Sequence, residues 1–315
     1  MRGDPLWLMA AALAVISGLW LFQGLSGNVA FILSLRLDKL AALALVAASV
    51  GMATVLFQTV AQNRILTPSI MGFDALYLLV QAVGLASLGV TGFVTWPTGA
   101  KFLTEVALMS GLAVALFGTL LGRGGARDMG RTILSGVILG ILFRAGASLI
   151  MRVMDPNAQA VVQSVTFANF SRPSGEMMIW AAMVALPAMA VAIWLGPRLD
   201  VLALGRERAI ALGLGHRAMV LVTLALVAAM TAVATALVGP VAFFGLIVAA
   251  LAHALLPGAP HRRLLIAAAL IAGLVLIGGQ LLFERALGLR ATLSVVIEFA
   301  GGLLFLILLM RGKIR

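Results

Sequence analysis

Apolar residues in this chain do not alternate or recur in heptads. They run in long unbroken stretches that end at charged residues, glycine or proline. About 20 such residues, coiled as a helix, match a hydrocarbon core ~30 Å thick. Windows free of formal charge extend over Pro5–Leu25, Leu40–Arg64, Ala75–Lys101, Val106–Arg123, Met177–Arg198 and Leu264–Glu284, counting the charged boundary residue as the stop. Two further windows carry one internal charge each: Thr132–Val153 with Arg144, and Ala291–Met310 with Glu298. The stretch Ala218–Ala252 would be ~52 Å long as one helix, which overshoots a bilayer. Gly239-Pro240 interrupts it, because proline lacks a backbone donor and clashes with the preceding turn. The stretch is therefore read as one helix ending near Val238 and a shorter one over Val241–Leu256. The pattern predicts ten membrane helices in a single domain over 1–315.

Composition removes most other readings. With 63% hydrophobic and 10% charged residues, the chain has too little polar surface for a water-soluble globule. The window at Pro5 is longer than the apolar core of a secretory signal, roughly 7 to 15 residues, and is expected to be a span. The chain has no cysteine, which excludes disulfides, thiolate metal sites and iron–sulfur centres. The net charge of +11 is scattered between apolar runs and forms no basic stripe, so nucleic acid is not an expected partner.

The charges do orient the chain. With both termini in the cytoplasm, fourteen basic residues fall on inside loops and seven outside, with Arg144 left at membrane depth. That excess fits the positive-inside rule. Seven outside is still many, and an acidic external partner would complement them, although helix-end snorkelling is the alternative for any single one.

Several chemistries lack their residues. No phosphate-binding loop of the form Gly-x-x-x-x-Gly-Lys-Ser/Thr occurs, so nucleotide hydrolysis by that route is excluded. His216, His253 and His261 fall at cytoplasmic loops without ligands at helical spacing, and no metal or other cofactor is expected. No hydrolytic constellation can be assembled, so the chain reads as a transport protein and not as an enzyme. The segment Arg198–Arg217 is too charged to span. Its residues Leu202, Leu204, Ala209, Ile210 and Leu212 are expected to share one face, with Arg206, Glu207 and Arg208 toward water. Such a helix suits either a partner's groove or the membrane surface.

Three blocks carry a family resemblance. QTVAQNRILTPSIMGFDALY (Gln58–Tyr77), GRERAIALGL (Gly205–Leu214) and GPVAFFGLIVAALAHALL (Gly239–Leu256) followed by His261-Arg262 resemble, in order, the permease subunits of binding-protein-dependent ABC importers for ferric siderophores and cobalamin. Arg64 departs from the family's proline after Asn63, and Ala249-Ala250 stand where many members have Pro-His. The NRILTPS form and the SVVIEFAGG run from Ser294 are similar to the subset serving catecholate-type siderophores.

The resemblance implies an all-α permease of the type II ABC importer fold in the cytoplasmic (inner) membrane, in contact with lipid. Its implied partners are a second permease, identical or paralogous, two ATP-binding subunits, and a periplasmic or lipid-anchored substrate-binding protein. Asn63 and Ile65 match the cytoplasmic gate, with the Arg123–Arg131 loop at the other gate segment. Gly205, Arg206, Glu207, Arg208 and Ala209 match the helix that docks into the ATPase. Arg36, Lys39 and Arg290 match the outer cations that pair with the binding protein, simple interfacial anchoring being the alternative for Arg36 and Lys39. Arg144 and Glu298, costly at membrane depth, are expected either to line the pathway or to lock helix packing. Import of cobalamin or haem by the same architecture is the nearest alternative. An ion-gradient-driven carrier is the next, for which Glu298 is the sequence's one good proton-cycling candidate.

Overall fold

The computed structural model describes residues 4–25, 27–122, 129–164, 175–286 and 293–310. Every regular element among them is helical. In chain order they are α1 (Pro5–Phe22), α2 (Val29–Ala61), α3 (Phe73–Thr95), α4 (Thr98–Gly122), α5 (Met129–Val153), α6 (Pro156–Ser164), α7 (Gly175–Trp194), α8 (Gly196–Leu202), α9 (Arg206–Ala211), α10 (His216–Val238), α11 (Phe244–Leu255), α12 (His261–Ala286) and α13 (Leu293–Met310). The ten sequence windows each find a helix: α1 to α5, α7 and α10 to α13. Eight of the described helices are long and apolar enough to cross a membrane unaided, while α11 has only 12 residues.

Helix starts follow from local chemistry. Asp4 accepts from the Leu6 N–H with Pro5 in the first turn, and Asn28 accepts from the Phe31 N–H at 3.2 Å. Asp155 accepts from the N–H groups of Asn157 and Ala158 and so starts α6, a short helix the apolar windows did not contain. Helix α2 runs 33 residues, about eleven longer than its window at the outer end, so Arg36 and Lys39 sit on a helix and not in a loop.

Helices α2 and α10 form the centre. Helix α2 is buried from Ala42 inward, α10 is buried without interruption from Met230 to Val238, and α4, α7, α11 and α12 pack around them. Helix α1 lies on α12, and α3 pairs with α5. On α7 the buried Ala181, Ala185, Ala188 and Ala192 share one face and let the backbone approach its neighbours closely.

Two breaks give the fold its character. Between α2 and α3 the chain turns at Gln62 (φ 51°) and climbs back, so that Gly72 (φ 98°) lies against Gly140 of α5. Gly140 is eleven residues past the start of α5, or ~17 Å at 1.5 Å per residue. Helix α3 therefore begins near mid-membrane and runs parallel to α5, with Leu79 beside Gly146. The second break follows α10 at Gly239 (φ 95°) and Pro240, and ends at Phe243 (φ 58°). Helix α11 then descends with Gly245 against Thr54. Both breaks border a water-sized cavity in which Thr54, Thr67, Ser69, Thr231 and Thr235 stand among apolar neighbours such as Val50, Ala234 and Val241.

A β-carbon on Gly72 would lie 2.8 Å from the Gly140 Cα. Gly72→Ala is expected to cost about 2–4 kcal/mol, combining overpacking against backbone with a left-handed φ. Gly18→Ala in the interior of α1, where nothing lies within 4 Å, should raise stability by about 0.5–1 kcal/mol. Thermal unfolding in detergent checks both.

Candidate functional site

Asn63 and Ile65, the expected gate residues, sit on the turn that closes α2. Gln58, 4% exposed, donates from Nε2 to the Arg64 carbonyl, while the Asn63 N–H returns to the Gln58 carbonyl at 3.2 Å. The Asn63 Oδ1 accepts from the Ile65 N–H at 2.9 Å, so Asn63 shapes the turn through its own side chain. Asn63 and Ile65 are half-buried and Arg64 is exposed. The proline of the resembled family is therefore replaced here by a residue whose carbonyl is held by Gln58. In the other gate segment, residues 123–128 lie outside the described residues.

The coupling segment differs from the single amphipathic helix expected over Arg198–Arg217. Two short helices, α8 and α9, are joined through Gly205 (φ 92°), whose positive φ glycine accommodates without strain. Leu202 and Ala209 are buried as expected, at 2% and 0% exposure. Leu204, Ile210 and Leu212 are exposed beside Arg206, Glu207 and Arg208, contrary to the expected separation. The physical reason is length: six residues make fewer than two turns, too few to keep a continuous apolar stripe against the body. The result is a mixed charged and apolar knob on the surface.

At the other end of α2 the predicted cations have internal partners. Arg36 Nη1 donates to the carbonyls of Trp20, Leu21 and Gln23 at 2.7–3.1 Å, capping the last turn of α1. Its Nη2 and Nε make no bond to a described residue. Lys39 Nζ pairs with Glu284 Oε1 at 2.8 Å, and the same carboxylate accepts from Trp20 Nε1 and Gln280 Nε2. This network ties α1, α2 and α12 together. Arg290 lies outside the described residues.

At membrane depth, Arg144 is exposed on α5 and Glu298 is half-buried on α13. Neither makes an ion pair or hydrogen bond with the other or with another described residue. Between them stands Asp74, in the first turn of α3 and within electrostatic reach of both; one of its carboxylate oxygens is buried without a hydrogen-bond partner. Ser69, on the preceding turn, interacts with its side chain. The apolar windows placed Asp74 in a loop because counting began at Ala75; the signal that locates it is Gly72, which brings this turn against α5. Glu105 was excluded in the same way by a window starting at Val106. It is 8% exposed on α4, bonded to Gln81 of α3 and one turn from Lys101, whose ammonium lies 3.5 Å from the centre of the Phe93 ring. Glu298 is thus not the one acidic group at depth.

The C-terminal end of α2, helix α8 and the start of α12 meet at a histidine. His261 presents Nδ1 to Asp200 Oδ1 at 2.6 Å, and its backbone N–H donates to the same oxygen at 2.8 Å. Its Nε2 lies 2.9 Å from the Thr59 hydroxyl. The 61 residues between Asp200 and His261 hide this pairing from any search by helical spacing. Among the described residues no group of three or more His, Asp or Glu side chains is placed to hold a metal ion.

Comparison with known proteins agrees with this arrangement. The model of the FecCD transport family matches residues 7–311. The petrobactin import system permease protein YclO of Bacillus subtilis (strain 168) is 36% identical over 313 residues, covering 99% of this chain and 98% of the relative. The petrobactin import system permease protein FatC of Bacillus anthracis is 27% identical, covering 88% and 78%. The ferric enterobactin transport system permease protein FepD of Escherichia coli (strain K12) is also 27% identical, covering 92% and 84%. An inward-facing structure of a metal-chelate type ABC transporter superposes with a TM-score of 0.82 at 20% identity, covering 97% of this chain and 98% of that one. At that identity the superposition establishes the fold alone, an all-helical ABC transporter permease, and the family model together with the 36% relative establishes kinship. The chain belongs to the FecCD transport family.

Proposed function

We propose that this chain is the membrane permease of an ATP-driven importer that carries a ferric siderophore, of the catecholate type, across the cytoplasmic membrane. It works as one permease domain with both termini in the cytoplasm, beside a second permease copy or paralogue. The observation that carries this reading is the α8–α9 knob. The chain exposes Leu204, Ile210 and Leu212 among Arg206, Glu207 and Arg208, a surface suited to a groove on a soluble partner and not to lipid alone. An ATP-binding subunit is the partner that would supply the missing motive force, and relatives named for petrobactin and enterobactin transport support the substrate class.

In this scheme an external binding protein delivers the chelate to the outer rim, where Arg36 and Lys39, with Arg290, attract its acidic lobes. The unengaged edge of the Arg36 guanidinium is suited to this; Lys39 would have to exchange Glu284 for the partner. Exposed at depth, Arg144 is costly unless it faces water or an anion, and a negatively charged ferric chelate meets that need as it passes. Asp74 and Glu298 bound the same region and limit how tightly an anion can be held, so that the chelate leaves. Asn63 and Ile65 close the inner end. Nucleotide binding in the partner shifts the gate only as far as its preference for one permease conformation allows.

Ile210→Asp with Leu212→Asp is expected to weaken co-purification of the ATP-binding subunit by about tenfold or more, while membrane insertion persists. Arg144→Gln and Glu298→Gln should each abolish uptake of the ferric chelate and leave the assembled complex intact; loss of assembly would instead assign them to packing. Isotopic iron uptake with a panel of ferric catecholates, ferric citrate and haem, beside uptake of cobalt-labelled cobalamin, in cells with and without this gene, tests the substrate. A gene-dependent signal for haem or cobalamin alone would overturn the siderophore reading.

A further inference from the structure

The Asp200–His261–Thr59 chain lies between the knob and the gate, and the two sides of it are built differently. On the knob side the Asp200 carboxylate holds the His261 ring and backbone N–H, and close backbone contacts add to that hold. Gly196, at the start of α8, packs directly on the backbone of Arg262, whose Nε donates to the Ile193 carbonyl at 3.2 Å. Successive backbone bonds, Leu204 N–H to the Val201 carbonyl and Gly205 N–H to the Leu202 carbonyl, continue from α8 to the first residue before α9. The knob, α8 and the first turn of α12 therefore form one stiff unit.

That unit reaches the last turn of α2 through side chains. His261 meets the Thr59 hydroxyl, and the Gln62 amide reaches the Leu202 carbonyl at 3.4 Å while also donating to the Thr59 carbonyl at 2.8 Å. Thr59 and His261 are each only 9% exposed, so their bond is shielded from competing water. Gln62 is the left-handed residue immediately before Asn63. Both links thus land on the hinge of the gate, and a displacement of the knob is delivered there.

We propose that Asp200, His261 and Thr59, with the Gln62 amide beside them, form a strap that transmits motion of the docked α9 helix to the Asn63–Ile65 gate. They are positioning residues that touch neither nucleotide nor cargo. The proposal rests on the importer reading above. Asp200 fixes the imidazole by accepting from its Nδ1 and from the backbone, so that Nε2 is aimed at Thr59. A hydroxyl at position 59 completes the link; an isosteric methyl group breaks it while filling the same space.

The test uses the complete importer, with its ATP-binding subunits and binding protein, reconstituted in liposomes with a ferric catecholate that the unmodified complex takes up. Thr59→Val and Asp200→Asn are expected to keep ATP hydrolysis near the parent rate while chelate moved per ATP falls about fivefold or more, the lower end of ordinary coupling between sites. Thr59→Ser, which keeps the hydroxyl, should restore the ratio to within about twofold. Because the chain has no cysteine, Ile65→Cys provides a single thiol whose labelling reports the gate. Its nucleotide dependence should vanish when combined with Thr59→Val. Unchanged coupling in Thr59→Val, or a parallel loss of assembly, hydrolysis and transport, would overturn the strap. Absence of ATP-dependent uptake by the unmodified complex would overturn the importer reading itself, and the strap with it.

Discussion

Backbone that leaves helical geometry inside a bilayer must satisfy its polar groups within the protein, because hydrocarbon offers none. The turns over 62–72 and 239–243 are two places where the described chain accepts that constraint, and much of its architecture follows from them. Helices α2 and α10, which lead into the breaks, are the most enclosed in the fold. Around them stand Thr67, whose hydroxyl accepts from the Ile70 N–H at 3.3 Å inside the first break, and Thr54, whose hydroxyl donates to the Val50 carbonyl within α2. The Gln58 side chain holds the Arg64 carbonyl, and Asn63 folds its own turn, so the first break is stitched to the helix that precedes it. Glycine appears where backbones touch: Gly72 against Gly140, Gly245 against Thr54.

The same breaks place the chemistry. By starting α3 at mid-depth, the first one lifts Asp74 toward Arg144 and Glu298, and charges gather at that depth without requiring a polar helix. Its lower end is the gate turn, close to the Asp200–His261 pair. One segment of chain thus has its upper end near Asp74, Arg144 and Glu298 and its lower end beside the surface knob. That proximity is economical for a permease whose energy arrives from outside the membrane.

Much of this was legible from the residues. Each apolar window found a helix, and Gly239-Pro240 marked the second break, because proline and glycine impose their geometry locally. The first break was read only as a loop at the membrane surface. Its climb depends on Gly72 fitting against Gly140, a contact across 68 residues that no local rule contains. Charge-delimited windows hid Asp74 and Glu105, since a carboxylate at a helix start resembles a boundary until packing reveals its depth. Arg36 and Lys39 are expected from the sequence to be outer cations, but their bonds to the α1 carbonyls and to Glu284 depend on how three helices assemble. The amphipathic segment after Arg198 was expected to separate its faces, and a glycine break with a six-residue helix left them mixed.

The central claim is that the motive force enters through a soluble nucleotide-binding partner seated on α9. Proteoliposomes holding the permease, its ATP-binding subunits and a chelate-loaded binding protein outside measure this directly, with uptake followed under controlled ATP and ion gradients. The account predicts accumulation only when ATP is present on the α9 side, undiminished by an uncoupler. Accumulation driven by a proton or sodium gradient without ATP would contradict it.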